Sequence, residues 1–127
     1  MTNYSGLKII YCLKRLSHLT PAEFSRHWRE VHAPLVEQHR SVLRILRYVQ
    51  SHADQGGLSE RLRAFRGSPE PYDGVAEIWY ESRQVLETLG RDPAARTTSQ
   101  ELLEDERRFV DLARSPILLA EEHAIIT

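Results

Sequence analysis

Two histidines carry the strongest chemical signal in the sequence. His32 lies one helical turn after Trp28 and two residues before Pro34, within TPAEFSRHWREVHAPL, and His52 closes the segment ILRYVQSH. Imidazole titrates near neutral pH, so either side chain could serve as a general acid or base. If both point into one cavity, one from a helix and one from a sheet, they predict proton-transfer chemistry with His32 and His52 as the catalytic residues.

Each histidine also has a structural interpretation. Proline has no N–H and its ring crowds the carbonyl four residues earlier, so Pro34 leaves the Glu30 carbonyl without its helical partner. His32 could donate to a carbonyl freed in this way. His52 could lie on a solvent-facing edge strand with no role in a site. The sequence leaves these alternatives open.

Aromatic residues and one carboxylate form the expected substrate-binding set. Trp28, Tyr48 and Tyr80 offer largely apolar rings, each with one polar group. Glu77 stands on an otherwise apolar strand. There its carboxylate must be paired with Arg47 or another arginine, be desolvated with a shifted pKa, or lie at a dimer seam.

Cys12 and Tyr72 complete that set. A cysteine inside an apolar strand usually acts as a small hydrophobic residue, although it could border a pocket. Tyr72 opens a Tyr-Asp-Gly turn signal, and a loop tyrosine could close over a ligand. No histidine pair at i,i+4, no His-x-His, no Cys-x-x-Cys, no phosphate-binding glycine loop and no dinucleotide fingerprint is present. We therefore expect neither a metal nor a cofactor.

The first helix must position Trp28 and His32. Thr20 and Glu23 form a capping box, and Pro21 suits the first helical position. The apolar spacing predicts a helix over about 21–43, kinked or broken near Pro34.

The other elements follow from apolar runs, turns and capping signals. We expect a strand over 7–13 buried on both faces, a strand over 45–52, a polar connection over 54–72 with one helical turn near 58–65, a strand over 75–80, a helix capped by Ser82 and stopped by Gly90, a helix begun by the Thr98–Glu101 capping box and ended before Ser115, and a strand over 117–126.

The order β-α-β-β-α-β predicts an α+β, ferredoxin-like fold with a four-stranded antiparallel sheet. Helices on one face leave the other face open, and the strands carry apolar residues on both faces. A second copy, packed sheet to sheet, is the simplest cover. We therefore expect a homodimer through the open sheet face.

Composition narrows the class of protein. The 127 residues suit a single domain, and a net charge of −1 provides no basic field for nucleic acid. The single cysteine cannot form an intramolecular disulfide, and no apolar run is long enough to span a membrane. A cytoplasmic protein is expected.

Several segments together resemble the EthD family, named after a protein of ethyl tert-butyl ether degradation. They are KIIYCLKR, LTPAEFSRHWREVHAPLV, LRYVQSH, RGSPEPYDGVAEIWYES, LLEDERRFVDLARSP and EEHAII. The Trp28–His32–Pro34 combination and the run from Tyr72 to Glu77, in this order, are the most specific parts. The chain is similar to the bacterial branch of that family over nearly its whole length, and 1–127 would be one EthD-like domain.

The resemblance implies a ferredoxin-like protomer in a dimeric α+β barrel. Similar proteins include cofactor-free monooxygenases, polyketide cyclases, decarboxylases and muconolactone isomerases, with the pocket between a protomer's sheet and its own helices. The expected function is a cofactor-independent isomerase, lyase or monooxygenase that acts on a small hydrophobic, aromatic or polyketide-like molecule. The alternative is a non-catalytic accessory or small-molecule-binding protein that supports a partner oxidase in a degradation pathway.

Overall fold

The computed structural model describes residues 6–127 and contains four strands and five α-helices in that range. The elements are β1 (Leu7–Leu13), α1 (Pro21–His27), a π-helical turn (Trp28–His32), α2 (Ala33–Gln38), β2 (Arg47–His52), α3 (Gly57–Arg66), β3 (Gly74–Trp79), α4 (Arg83–Leu89), α5 (Pro93–Glu106), a 3₁₀ turn (Leu112–Arg114) and β4 (Ile117–Glu121).

The four strands form one antiparallel sheet in the order β2-β3-β1-β4. In the register, Ile9 faces Ile78 across the β1–β3 pair, and Ile10 faces Leu118 across the β1–β4 pair. The α+β, ferredoxin-like fold predicted from the element order is confirmed.

Alternation along β1 divides its side chains between the two faces of the sheet. Ile9, Tyr11 and Leu13 point to the face that the helices cover. The side chains between them point to the other face, which no helix of the described protomer covers. The prediction that β1 is buried on both faces does not hold for the single protomer, because only Leu7 and Leu13 of this strand are buried.

The first helical stretch remains helical through Pro34 and contains a π-helical turn just before it. The Ala33 N–H donates to the Trp28 carbonyl, five residues earlier, and Ala33 itself stays helical (φ −57°, ψ −44°). This π-helical turn is the expected distortion of the helix near Pro34, and the helix is not broken there. The expected continuation to residue 43 is wrong, because the helix ends at Gln38 and Arg44 adopts a left-handed φ of 54°.

The long second helix begins earlier than the capping box predicts. The Asp92 side chain accepts from the Ala94 N–H, and Pro93 occupies the first turn, so α5 starts there. Thr98 is a buried residue of the helix interior and not its cap. The helix ends at Glu106, before Phe109 and Val110, and β4 ends at Glu121, short of the expected residue 126.

The hydrophobic core lies between the covered sheet face and the helices. Phe24, Trp28 and Phe109 are almost fully buried, and the Phe24 ring packs in a tilted arrangement against the other two, with centroids 5.6 Å and 5.5 Å apart. Gly74 on β3 lies so close to the Trp28 ring that a Cβ there would collide with it. None of the helices in residues 6–127 has the length and hydropathy of a membrane-spanning segment.

Candidate functional site

A half-open cavity of about 560 Å³ lies between the sheet and the helices. Its floor comes from β1, β2 and β3, and its walls come from the π-helical turn, α2, α4 and α5. Most of the lining is aliphatic or aromatic. The polar groups that reach it include His32, Glu106, Arg96 and the three tyrosines Tyr11, Tyr48 and Tyr80.

His32 is the buried histidine of the cavity wall, with 4% of its surface exposed. Its Nδ1 lies 2.8 Å from Asp105 Oδ2, and its Nε2 lies 3.8 Å from Glu106 Oε1. Burial lowers the pKa of His32, and the hydrogen bond and charge of Asp105 offset only part of that effect. The neutral imidazole is therefore favoured near pH 7.

Asp105 contacts His32 on the side away from the cavity and determines which ring nitrogen of His32 carries the proton. Its carboxylate is 1% exposed and also accepts from His27 Nε2 at 3.1 Å and from an Arg108 guanidinium nitrogen at 3.2 Å. Burial alone would raise the pKa of Asp105, but these hydrogen bonds outweigh it and lower the pKa. Because an ionised carboxylate can only accept, Nδ1 of His32 must carry the proton, which leaves the Nε2 lone pair on the cavity side.

Glu106 is a functional group that the sequence analysis missed. It ends α5, lines the cavity, and has a side chain that is 21% exposed. Burial, together with the neighbouring Asp105 charge, raises its pKa to about 7. In the sequence it sits in the run LLEDERR, which is typical of a solvated helix face. Glu106 follows Leu103, Leu102 and Ser99 by three, four and seven residues, and all three of these residues line the cavity. This helical spacing was the signal in the sequence that could have placed Glu106 on the same face.

The aromatic residues Trp28, Tyr48 and Tyr80 all line the cavity. Tyr48 Oη accepts from Gln50 Nε2 at 2.8 Å, and burial raises its pKa. Burial also raises the pKa of Tyr80 to about 12. These hydroxyls stay protonated at neutral pH and can donate to a ligand.

His52 does not line the cavity and is not brought to His32. Its ring stacks on Trp28 at 4.3 Å between centroids, its Nδ1 bonds Ser25 Oγ, and its Nε2 lies 2.8 Å from Gln50 Oε1. Burial and the Arg29 charge lower its pKa. His52 therefore packs against Trp28 on the side away from the cavity. The two histidines do not share one cavity.

Three other members of the expected substrate-binding set, Cys12, Glu77 and Tyr72, also lie outside the cavity. Cys12 alternates to the open sheet face. Glu77 lies on that face too and pairs with Lys8 at 2.5 Å, which corrects the expected arginine partner. Arg47 instead lies over the Trp79 ring, 4.5 Å from its centroid.

Tyr72 is on the loop before β3, is 39% exposed, and has Lys14 Nζ 5.9 Å from its ring centroid. It does not contact the cavity. Within the described part of the chain, no group of three or more His, Cys, Asp or Glu side chains is arranged to hold a metal ion.

The antiparallel order β2-β3-β1-β4, with helices over one face and a cavity between, defines a protein of the ferredoxin-like α+β class. Within that class, a sequence model of the EthD domain matches residues 16–113. The chain belongs to the EthD family. No curated protein sequence matches it significantly.

Solved structures of low identity share the fold. An EthD family protein from Bacillus halodurans is 16% identical with a TM-score of 0.59, the match covering 92% of this chain and 98% of that one. A dimeric protein of unknown function and ferredoxin-like fold from Bacteroides fragilis is 9% identical with a TM-score of 0.58, covering 94% and 99%. An EthD-like protein from Ralstonia eutropha is 11% identical with a TM-score of 0.52, covering 97% and 96%.

Proposed function

We propose that this protein is a cofactor-independent enzyme in which His32 transfers protons to and from a small hydrophobic, aromatic or polyketide-like substrate. One observation carries the proposal: a buried imidazole, held by Asp105, presents its Nε2 to a largely apolar cavity of about 560 Å³. A cavity of this size suits a small organic ligand. Such a base acts most effectively when its pKa is close to the working pH.

The lining supports an aromatic ligand in particular. Trp28, Tyr11 and Tyr48 offer ring surface to the cavity, and phenolic hydroxyls can orient an oxygen-bearing substrate. The half-open shape provides an entry path, and most of the wall is apolar. His32 is the catalytic residue of the proposal, and Trp28, Tyr48 and Tyr80 bind the substrate.

The test replaces His32 with Asn. The Asn amide can keep the hydrogen bond to Asp105 while the Nε2 lone pair is lost. His18, which is exposed and does not line the cavity, gives the matched control His18→Asn. Wild-type protein and both variants are assayed for binding and turnover against a panel of aromatic ketones, phenols and polyketide-like lactones.

We expect His32→Asn to lower turnover about 100-fold or more, with ligand affinity changed only a few-fold, and His18→Asn to match the wild type. Equal turnover in the His32 variant would contradict catalysis by this residue. Tight binding with no turnover, even by the wild type, would instead favour an accessory protein that holds a hydrophobic molecule for a partner oxidase.

We also propose that two copies pair through the open sheet face to form an α+β barrel. On the described protomer this face is uncovered, and Leu118, Ile125 and Ile126 are exposed at and beyond β4. The Bacteroides fragilis relative of the same fold is dimeric. The free Cys12 suits a reducing compartment such as the cytoplasm, which is where we place the protein.

A further inference from the structure

His32 and Glu106 form a pair of unlike groups in one wall of the cavity. Nε2 and Oε1 are 3.8 Å apart, which is too long for a hydrogen bond and short enough for both to reach one small group of atoms. They come from different elements, the π-helical turn and the end of α5, so the fold and not local sequence brings them together.

The two groups hold complementary protonation states. The Nδ1 proton is held by Asp105, so Nε2 is an acceptor. Burial raises the pKa of the Glu106 carboxyl to about 7, so this group can donate a proton at and below neutral pH. The titratable groups that interact with Glu106 are His32, Tyr11 and Tyr48 from the opposing elements and Asp105 from its own helix. At neutral pH none of these groups is cationic, so none of them forces Glu106 to ionise.

We propose that His32 and Glu106 act together as base and acid on an enolisable carbonyl compound, with Asp105 as the positioning residue. This inference rests on the proposed function and adds a second catalytic residue and a substrate class to it. In such a compound the carbonyl oxygen and the α-carbon are about 2.4 Å apart from ordinary bond lengths. Two groups 3.8 Å apart can therefore contact both atoms at once.

The proton transfers balance without any co-reactant. The α-C–H bond breaks and its proton bonds to Nε2 of His32. The electron pair forms the C=C bond of the enol, and the carbonyl oxygen takes the Glu106 proton. His32 is then cationic and Glu106 anionic. When Nε2 returns a proton to the same or a conjugated carbon and the enol returns one to Glu106, both groups are restored and the result is exchange or isomerisation.

The experiment follows solvent deuterium entering 2-tetralone, a hydrophobic ketone with acidic benzylic hydrogens, by proton NMR in D₂O. The proteins are the wild type, Glu106→Gln, His32→Asn and the exposed control Glu104→Gln. Binding of the ketone is measured in parallel by tryptophan fluorescence, and urea unfolding checks that each variant is folded. The rate is recorded across the pH range 5–9, a range chosen around neutrality.

We expect wild-type exchange well above the buffer rate, with a fall on the acid side as His32 is protonated and on the alkaline side as Glu106 ionises. Glu106→Gln should lower the rate about 100-fold and remove the alkaline fall, because an amide can donate a hydrogen bond but cannot give up a proton. Glu104→Gln should match the wild type.

The outcomes separate this pair from the proposed function. An unchanged rate and alkaline fall in Glu106→Gln, with exchange lost in His32→Asn, would overturn the role of Glu106 and leave His32 catalysis intact. A wild type that fails to bind the ketone, or binds it without faster exchange, would overturn enolisable ketones as the substrate class. Turnover of another panel compound would then still support the proposed function.

Discussion

Asp105 Oδ2 lies 2.8 Å from His32 Nδ1, on the side of the imidazole that faces away from the cavity. The carboxylate is thus a partner of the histidine and not of the ligand. It is also shared with His27 and Arg108, so one buried anion joins the π-helical turn, α1 and the segment that follows α5. The same contact that orients the base therefore ties the helical layer together.

Replacing Asp105 with Asn should change both protonation and stability. The imidazolium of His32 loses its neighbouring negative charge, so the pKa of His32 should fall further below its usual 6.5. NMR titration of the histidine ring signals measures this. Because three donors lose a charged acceptor, the free energy of unfolding at pH 7 should drop by about 2 kcal/mol in urea denaturation.

Glu104→Gln provides the control for that experiment. Glu104 precedes Asp105 on α5 but is exposed, with only a 3.6 Å ion pair to Arg107. The Glu104→Gln substitution removes the same charge one residue away from Asp105. It should leave both the pKa of His32 and the free energy of unfolding nearly unchanged. A His32 pKa that rises in Asp105→Asn would contradict the assigned hydrogen bond.

Most of the helices and strands could be predicted from the sequence, because the signals for them are local. The Thr20–Glu23 capping box, the Ser82 cap and the four apolar runs each predicted an element that the structure contains. Tyr48, Trp28 and His32 were expected to line a pocket, and alternation and helical spacing place them there. The capping box at Thr98 misled because Asp92 and Pro93 start the helix earlier.

The pairing of His32 with Asp105 could not be predicted, because it joins residues that are distant in sequence. His32 and Asp105 are 73 residues apart. Nothing in the run LLEDERR distinguishes the buried Asp105 from its solvated neighbours. His52 was grouped with His32 because both are titratable, yet the stacking of His52 on Trp28 is visible only in three dimensions.

Glu106→Gln should alter how stability depends on pH. In the native protein the pKa of Glu106 is about 7, above its ordinary value of 4.5, so the folded state binds the proton more tightly than the unfolded state does. The stability linked to this group is fully present below pH 4.5 and is lost as pH rises through about 7. Glu106→Gln cannot ionise at this position, so its stability does not fall in this way as the pH rises.

Relative to the wild type, Glu106→Gln should therefore be up to about 3 kcal/mol more stable at pH 8 and nearly equal at pH 4.5. Urea unfolding of both proteins at a series of pH values measures the difference. His32 contributes the opposite trend, since its pKa is lowered, but it is present in both proteins. A difference that does not grow with pH would contradict a protonated Glu106.

Gly74→Ala tests the packing of Trp28 on the sheet. A Cβ at Gly74 would enter the Trp28 ring and approach the Ser51 carbonyl within 3.0 Å. Relieving that overlap should cost about 1–3 kcal/mol of stability and displace the aromatic wall, with a shift in tryptophan emission.

Gly57→Ala is the matched control for this substitution. Gly57 lies in the first turn of the exposed α3, where a Cβ meets only the end of a flexible arginine at 3.6 Å. It should be neutral or stabilising by up to about 1 kcal/mol. If both alanine variants unfold at the same urea concentration, the close contact between Gly74 and Trp28 does not constrain the fold.

Leu118→Glu tests the proposed dimer. Leu118 is 46% exposed in the protomer, and it faces Ile10 across the β1–β4 pair, which places it on the open sheet face. A carboxylate there would lose its hydration in a sheet-to-sheet interface, which is unfavourable. In the protomer alone the same side chain stays solvated, so folding should be preserved.

Sedimentation velocity at micromolar concentration should give a dimer for the wild type and a monomer with unchanged circular dichroism for Leu118→Glu. Gln84→Glu, which adds the same charge on the exposed surface of α4, should remain dimeric. A monomeric wild type would contradict the pairing of the open faces. A Leu118→Glu protein that stays dimeric would place the interface elsewhere, because burying an additional charge between the two sheets is strongly unfavourable.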